Sequence, residues 1–181
     1  MDPGLASNEP RRNFFKEFMA VVIGGLVTAV PALAGLAVLM DPLRRKGGSG
    51  GLIRITSLEA IPESGLPKKF PVLADKQDAW NKLKDTPIGA VYLRRKSENK
   101  VQALNVICPH AGCFVALKEE TKSYFCPCHN SAFDIEGAIA SEKSPSPRPM
   151  DELEVEVRED GSVWVKFQNF RKAIHEKEPV V

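Results

Sequence analysis

The most regular feature of the hydrophobic pattern is an uncharged segment close to the N-terminus. Residues 18–40 contain no charged side chain. A helix of this length, rising about 1.5 Å per residue, would extend about 34 Å and could cross the hydrocarbon core of a membrane. Pro31 and the glycines in the segment would kink or loosen such a helix, which membrane helices tolerate. The pattern therefore predicts a transmembrane anchor at residues 18–40.

The same segment has a second interpretation, as a cleaved export signal. Ala32-Leu33-Ala34 resembles a small-residue cleavage site. The apolar pattern continues past this site through Leu39, however, which favours a retained anchor. Basic residues stand on both sides of the segment, so their distribution does not determine its orientation. They are Arg11, Arg12 and Lys16 on one side and Arg44, Arg45 and Lys46 on the other.

Alternating apolar and polar positions after residue 51 predict a mainly β head. The alternation covers three segments, residues 52–58, 88–94 and 101–107. In residues 152–157 a leucine and two valines share one face and three glutamates share the other. Asp160-Gly161 predicts a hairpin turn, after which a further strand returns at residues 163–167.

Two other segments lack this alternation. Residues 59–87 are rich in proline, lysine and aspartate, and they predict a long excursion with one helical turn near residues 78–83. Three apolar residues in it are interpreted as a packing patch: Ala79, Trp80 and Leu83. Glycines and one serine at residues 47–51 predict a flexible coil, which would form most of a neck at residues 41–51.

Composition narrows the possible function classes. The chain has 181 residues, enough for one domain of ordinary size and an anchor. Its formal net charge of +2 is too small to indicate a nucleic acid or a strongly acidic partner. All four cysteines lie within two short segments, so no wider disulfide framework is predicted.

Both short segments combine cysteine with histidine. Box one is Cys108-Pro109-His110-Ala111-Gly112-Cys113, and box two is Cys126-Pro127-Cys128-His129-Asn130-Ser131. Two thiolates and two imidazoles from the boxes could hold an iron–sulfur cluster, which leaves one further cysteine in each box. A zinc site could use the same ligand types but gives the further cysteines no role. A structural interpretation, with the cysteines packed as small apolar residues, does not account for two proline-containing boxes.

The two boxes resemble those of Rieske iron–sulfur proteins, in particular the disulfide-containing class of quinol–cytochrome c oxidoreductases of the cytochrome bc and b6f type. The resemblance implies one Rieske 2Fe–2S cluster as the cofactor. Cys108 and Cys126 would bind one of its irons. His110 and His129 would bind the other iron.

The resemblance also assigns roles to residues around these ligands. Cys113 and Cys128 are expected to form a disulfide that clamps the two boxes together. Ser131 stands where the family places a hydroxyl that bonds a bridging sulfide. The stiff proline-rich segment at residues 144–149 resembles the loop that covers the cluster.

The implied fold is a mainly β, Rieske-type antiparallel sandwich with an inserted cluster-binding subdomain and one N-terminal transmembrane helix. The iron–sulfur domain is expected at residues 52–168, its cluster subdomain at about 108–149, and a C-terminal tail at 169–181. His175 in this tail has no neighbouring cysteine or histidine and is interpreted as a surface residue.

Three positions depart from the family pattern. Phe133 stands where high-potential members have a tyrosine whose hydroxyl bonds a ligand sulfur, so a lower potential and a quinol such as menaquinol are expected. Ala111 replaces a leucine that shields the cluster and packs at the docking surface. Asn130 replaces a glycine, and asparagine tolerates a left-handed conformation.

The function implied by the resemblance is electron transfer from a membrane quinol to a cytochrome c haem, in a respiratory complex with a cytochrome b partner. His129 and His110 are the expected catalytic residues, since an imidazole accepts a proton as the electron is taken up. The chain would be an oxidoreductase subunit that is not active alone. The alternative is the small Rieske subunit of a molybdenum oxidoreductase such as arsenite oxidase. Three histidines are too few for a self-contained Rieske oxygenase.

The residues before the anchor resemble a twin-arginine export signal, which serves proteins that load a cofactor before they cross a membrane. They are Arg11-Arg12-Asn13-Phe14-Phe15-Lys16. This resemblance implies a single-pass protein of the bacterial inner membrane, with residues 1–17 in the cytoplasm and the head on the periplasmic or outer side.

Overall fold

The chain divides into two compact units after residue 47, a helix and a β head. The computed structural model describes residues 9–44, 51–77, 81–98 and 100–180. Helix α1 is continuous over Glu9–Arg44. Its stretch Asn13–Asp41 is long and apolar enough to cross a membrane, and the side chains of residues 13–40 are exposed. The anchor predicted at residues 18–40 lies inside this helix.

Helix α1 extends beyond the predicted anchor at both ends. Helical hydrogen bonding does not have to stop where the apolar pattern stops, because long charged side chains at the ends of a membrane helix can reach polar surroundings. The helix continues to Arg44, so the first four residues of the predicted neck at 41–51 are helical. Residues 45–50 of that neck lie outside the described residues.

The described part of the head contains ten strands in three antiparallel sheets. Their bounds are Leu52–Ser57 (β1), Lys68–Gln77 (β2), Lys82–Ser97 (β3), Lys100–Asn105 (β4), Ala116–Lys118 (β5), Ser123–Cys126 (β6), Ser131–Phe133 (β7), Glu152–Leu153 (β8), Val155–Val157 (β9) and Ser162–Lys166 (β10). The strand orders are β1-β10-β9, β2-β3-β4-β8 and β5-β6-β7. The predicted mainly β, antiparallel fold class is therefore confirmed.

The predicted excursion at residues 59–87 is wrong, because most of it forms the hairpin of β2 and β3. β2 is an edge strand, and edge strands accept the prolines and charged residues that central strands exclude. Val72 is fully buried whereas Leu73 beside it is largely exposed, as expected for a strand with one buried face. In the sequence, these edge-strand residues resemble those of a loop.

The helical turn predicted near residues 78–83 is not present in its described part. Leu83 lies in β3 and is 51% exposed, so it does not belong to a packing patch. Ala79 and Trp80 lie outside the described residues.

The alternation predicted at residues 152–157 is present, but the segment is divided between two sheets. β8 pairs with β4, whereas β9 pairs with β10. Leu153 is buried and the three glutamates are exposed, as predicted. The predicted hairpin turn is also present, since Gly161 has φ +73° and Asp160 Oδ1 accepts hydrogen bonds from the N–H and the hydroxyl of Ser162.

The four-stranded sheet contributes side chains to two hydrophobic clusters. Along β3, Val91 and Leu93 pack into the first cluster, while Tyr92 between them packs into the second. β4 repeats this division with Ala103 and Leu104. Successive side chains of a strand point to opposite faces, so the same two strands hold both halves of the head together. The second cluster includes side chains from the small sheet β5-β6-β7, and two of the box cysteines are among its buried members.

A buried ion pair connects the segment before β8 with the C-terminal tail. Arg148 donates to both carboxylate oxygens of Asp151, from Nε at 2.9 Å and from Nη2 at 3.0 Å. The two side chains are only 7% and 5% exposed. The guanidinium also donates to the carbonyls of Arg171 and Ile174, at 2.8 and 2.7 Å. The buried charge is therefore both paired and hydrogen-bonded, as burial requires.

Replacing Arg148 by methionine should destabilise the head strongly, because Asp151 would keep a buried carboxylate without its partner. We expect the free energy of unfolding to fall by about 3–5 kcal/mol. Lys166→Met is the matched control, since the ion pair of Lys166 with Glu154 is largely exposed and should contribute less than about 1 kcal/mol. Chemical denaturation of the chain in detergent, followed by near-ultraviolet circular dichroism, measures both. Equal losses would contradict the role given to the Arg148 pair.

Candidate metal centre

Box one forms the tip of a tight hairpin between β4 and β5. The Cys108 N–H donates to the Cys113 carbonyl at 2.8 Å, and the Gly112 N–H donates to the Cys108 carbonyl at 2.9 Å. Gly112 has φ +84°, a left-handed conformation that glycine adopts without a steric penalty. These bonds close the loop behind His110, which is left partly exposed at the tip.

Box two is the turn that joins β6 to β7. Cys126 is the last residue of β6, Ser131 is the first of β7, and the two are paired across the ladder. The residues between them include Cys128 and His129, which are both exposed. Asn130 has φ +60°, the left-handed conformation that asparagine tolerates better than most residues.

The boxes bring two imidazoles and two thiols together. The ring centroids of His110 and His129 are 4.9 Å apart, and the ring planes are nearly perpendicular. Cys108 and Cys126 lie together in the second hydrophobic cluster, and these residues are only 1% and 2% exposed. Of the four residues predicted as ligands, the two cysteines thus lie together in the interior and the two histidines lie together toward the surface.

The electrostatics of the two thiols favour a bound cation. Burial raises the pKa of the Cys126 thiol; the N–H groups of Cys128 and His129 lower that pKa, while the adjacent Cys108 thiol raises it. Two neighbouring thiolates would repel each other in a buried site. A coordinated metal removes this conflict, because it deprotonates thiols outright and supplies the opposite charge. The thiol pair therefore fits a metal-containing group better than it fits two free cysteines.

A disulfide links the two boxes, as predicted. Cys113 and Cys128 are bonded, with their Cα atoms 6.6 Å apart. The Sγ atom of Cys126 lies within 4.8 Å of both disulfide sulfurs. These three sulfurs are not a metal site, since the two bonded sulfurs have no thiolate charge to offer a metal.

Ser131 carries a buried hydroxyl with no hydrogen-bond partner among the described residues. Such an unsatisfied group costs about 1–3 kcal/mol. Ser131 stands opposite Cys126 in the ladder, so an acceptor in a group bound at the thiols would be near enough to relieve this cost. The hydroxyl is a second feature that fits a sulfide-containing cofactor.

The proline-rich segment at residues 144–149 lies beside box two. The Ser144 hydroxyl accepts a hydrogen bond from the N–H of Ala132, the residue after Ser131, at 3.3 Å. Directly after the segment, the Met150 N–H donates to the Gly137 carbonyl at 2.8 Å. Both ends of the segment are thus fixed next to β7, where the sequence predicts a covering loop.

The positions that depart from the family pattern have distinct surroundings. Phe133 is fully buried opposite Tyr124 in the ladder, and it has no hydroxyl to donate. Ala111 is exposed at the tip of box one. His175 is exposed, as predicted for a surface residue.

Two features near the boxes are absent from the sequence analysis. Phe114 follows the disulfide and is 62% exposed, and the Lys69 ammonium lies 5.5 Å from its ring centroid. The Ala173 N–H in the C-terminal tail donates to the Pro109 carbonyl in box one at 2.9 Å. No local sequence pattern predicts a contact between residues that are so far apart in the chain.

Comparisons with known proteins agree with this geometry. Residues 67–159, just over half of the chain, match the family described as the Rieske 2Fe-2S domain. The chain is 25% identical over 157 residues to the menaquinol:cytochrome c reductase iron-sulfur subunit of Bacillus subtilis, which covers 85% of this chain and 90% of that protein. It is 33% identical over 168 residues to the cytochrome b6-f complex iron-sulfur subunit of Prochlorococcus marinus. That match covers 90% of this chain and 89% of the relative.

Among solved structures, the cyanobacterial plasma membrane Rieske protein PetC3 from Synechocystis matches with a TM-score of 0.46 at 21% identity. That match covers 64% of this chain and 99% of the cyanobacterial one.

The family match resolves the choice between a cluster and a zinc ion that the ligand types alone left open. It covers both boxes and the proline-rich segment, and the buried thiol pair and the unpaired Ser131 hydroxyl fit the same cofactor. The chain belongs to the Rieske 2Fe-2S domain family and carries one 2Fe–2S cluster of the Rieske type.

Proposed function

We propose that this chain is the iron–sulfur subunit of a quinol-oxidising membrane complex, an oxidoreductase that is not active without its partners. Cys108 and Cys126 would hold one iron of the cluster. His110 and His129 would hold the other iron. The observation that carries this proposal is the convergence of two buried thiols with two outward imidazoles in disulfide-linked boxes. The names of the relatives support it, since both are iron–sulfur subunits of cytochrome complexes.

The bound cluster supplies a one-electron carrier with a potential between about −150 and +300 mV. The chain's own residues provide the binding and proton chemistry. The exposed His129 accepts a hydrogen bond from a quinol hydroxyl at Nε2 and then holds that proton. The ring of His110 is 4.9 Å away, so a second imidazole stands beside the proposed proton acceptor. The residues Cys108 and Cys126 are shielded from solvent, so the exposed histidines are the groups that a quinol can reach.

The electron passes from this subunit to a cytochrome c haem, and the quinol's second electron passes to a cytochrome b partner. The name of the Bacillus subtilis relative supports a cytochrome c acceptor. Helix α1 anchors the chain as a single-pass protein of the bacterial inner membrane. A twin-arginine export signal at Arg11 and Arg12 would leave the N-terminus in the cytoplasm and the head on the outer side.

The reduction potential should lie low in the Rieske range. Hydrogen bonds to the sulfurs of a cluster and its ligands raise its potential, because they stabilise the additional negative charge of the reduced state. Phe133 is buried in the second hydrophobic cluster with Cys108 and Cys126 and offers no such bond. A lower-potential quinol such as menaquinol suits this site, as the name of one relative also suggests.

Replacing His129 by alanine should abolish the Rieske cluster, because the iron that the two histidines would hold loses one of its two imidazoles. Electron paramagnetic resonance of the reduced protein and its iron content measure this loss. His175→Ala is the matched control, since His175 is exposed and lies outside both boxes. A His129→Ala variant with an unchanged signal, or a parent protein that binds only zinc, would refute the ligand assignment.

Replacing Phe133 by tyrosine should raise the reduction potential, because a new hydroxyl can bond a ligand sulfur. A difference on the order of 1 kcal/mol between the two redox states corresponds to about 40 mV for one electron. Phe125→Tyr adds the same hydroxyl on the alternate face of β6 and should leave the potential unchanged. Redox titration of both variants decides the matter. A Phe133→Tyr protein that titrates at the parent potential would disprove the hydrogen-bond explanation.

Purification from detergent-solubilised membranes tests the proposed complex. We expect haem-bearing cytochrome subunits to accompany the chain, and menaquinol to reduce the cluster in the purified assembly. A molybdopterin-containing partner, with no reduction by quinol, would instead show the alternative function as the electron-transfer subunit of a molybdenum enzyme.

A further inference from the structure

The chain after β10 forms a closed loop at residues 169–180, which we call the C-terminal loop. The Val180 N–H donates to the Asn169 carbonyl, and the Arg171 N–H donates to the Glu178 carbonyl, both at 2.8 Å. Phe170 and Pro179 form an isolated bridge between these two bonds. The two arms of the loop are therefore held against each other. The family match ends at residue 159, so this loop lies outside it.

The base of the C-terminal loop is anchored in the head. Phe170 is buried in the first hydrophobic cluster. The side-chain amide of Asn105 donates to the Gln168 carbonyl at 3.1 Å and to Asn169 Oδ1 at 3.2 Å. Lys177 donates to the Glu152 carbonyl. These contacts give the loop a fixed origin from which its tip can position another segment.

The tip of the C-terminal loop rests on box one. The Ala173 N–H donates to the Pro109 carbonyl at 2.9 Å. The Lys172 side chain crosses Gly112 so closely that an added Cβ there would lie 2.6 Å from Lys172 Cε. Pro109 stands between Cys108 and His110, and Gly112 precedes Cys113, so the tip contacts backbone on both sides of His110.

Arg148 connects the same tip to the proline-rich segment. It donates to the Arg171 and Ile174 carbonyls, which flank the tip on either side, and it belongs to residues 144–149. Ser144 in that segment accepts from Ala132 beside box two. One loop is thus attached directly to box one and, through Arg148, to the segment beside box two.

Ala173 adopts an unfavourable backbone conformation at the point of contact. Its φ of +59° is left-handed, and residues with a Cβ adopt this conformation rarely because of steric crowding. Such a conformation persists only where the surrounding structure fixes it. Here the bonds to Pro109 and Arg148 fix it on both sides.

We propose that the C-terminal loop is a positioning element for box one, and that the hydrogen bond from the Ala173 N–H to the Pro109 carbonyl is its point of action. This peptide lies between two cluster-binding residues, Cys108 and His110, so fixing it fixes the spacing of a thiolate and an imidazole. Ala173 itself touches neither the cluster nor a substrate. The inference depends on box one as a ligand loop, and it does not depend on the quinol or on the partner subunits.

The test compares Ala173→Pro with Ala173→Gly in the full-length, cluster-loaded protein. Proline removes the N–H and cannot adopt φ near +59°, whereas glycine keeps the N–H and adopts that conformation freely. Ala173 is exposed, so neither change perturbs the core. The readouts are the rate of iron loss to a chelator, the g-values of the reduced cluster, and the denaturant midpoint of the head.

We expect the proline variant to lose iron about threefold to tenfold faster, as the loss of one hydrogen bond implies, and to show shifted g-values. The glycine variant should keep the parent g-values and rate of iron loss, and any fall of the denaturant midpoint in the proline variant should be too small to account for its faster iron loss. Parent-like g-values and iron loss in the proline variant would overturn the proposal. Equal changes in both variants would also overturn it. The same holds if the lowered denaturant midpoint of the proline variant fully explains its faster iron loss.

Discussion

Two thiols that are buried against each other determine what the rest of the head has to provide. Cys108 and Cys126 come from different loops and meet in the second hydrophobic cluster. Burial and the adjacent Cys108 thiol raise the pKa of the Cys126 thiol, so a thiolate there is favoured by a positive charge bound next to it. The site is therefore complete only with its cofactor, and cluster loading is linked to the stability of the two loops. The disulfide between Cys113 and Cys128 keeps those loops together independently of the metal.

The sheet beneath the site explains how two short loops can be held so accurately. β3 and β4 place alternate side chains into the two hydrophobic clusters. A displacement of either strand would therefore disturb both clusters. Each cluster contains several fully buried side chains, and the burial of each one stabilises the fold by about 1.5–3 kcal/mol. Box one continues from β4 and box two lies within the small sheet that packs on the second cluster. Both box loops thus start from strands that pack into the hydrophobic clusters.

How much the sequence predicted depended on how far apart the interacting residues lie. The boxes and the Asp160-Gly161 turn follow from local spacing, whereas the disulfide was expected from the resemblance of the boxes to a known family. The structure bears out the disulfide and the turn. β2 was missed because an edge strand carries prolines and charges that resemble those of a loop. The contact of Ala173 with Pro109 could not be predicted, since it depends on where the tail folds back and not on either local sequence.

The difference in burial between the thiols and the imidazoles decides which groups meet the quinol in the proposed chemistry. An imidazole that takes a proton from a quinol has to reach the surface, whereas a thiolate needs shielding from water and oxidants. Box two achieves both within four residues, because Cys126 ends a strand facing the core while His129 lies in the turn beyond it. Box one has no such strand at its tip, so the placement of His110 relies on backbone contacts instead. That asymmetry is a physical reason for the C-terminal loop to be attached to box one.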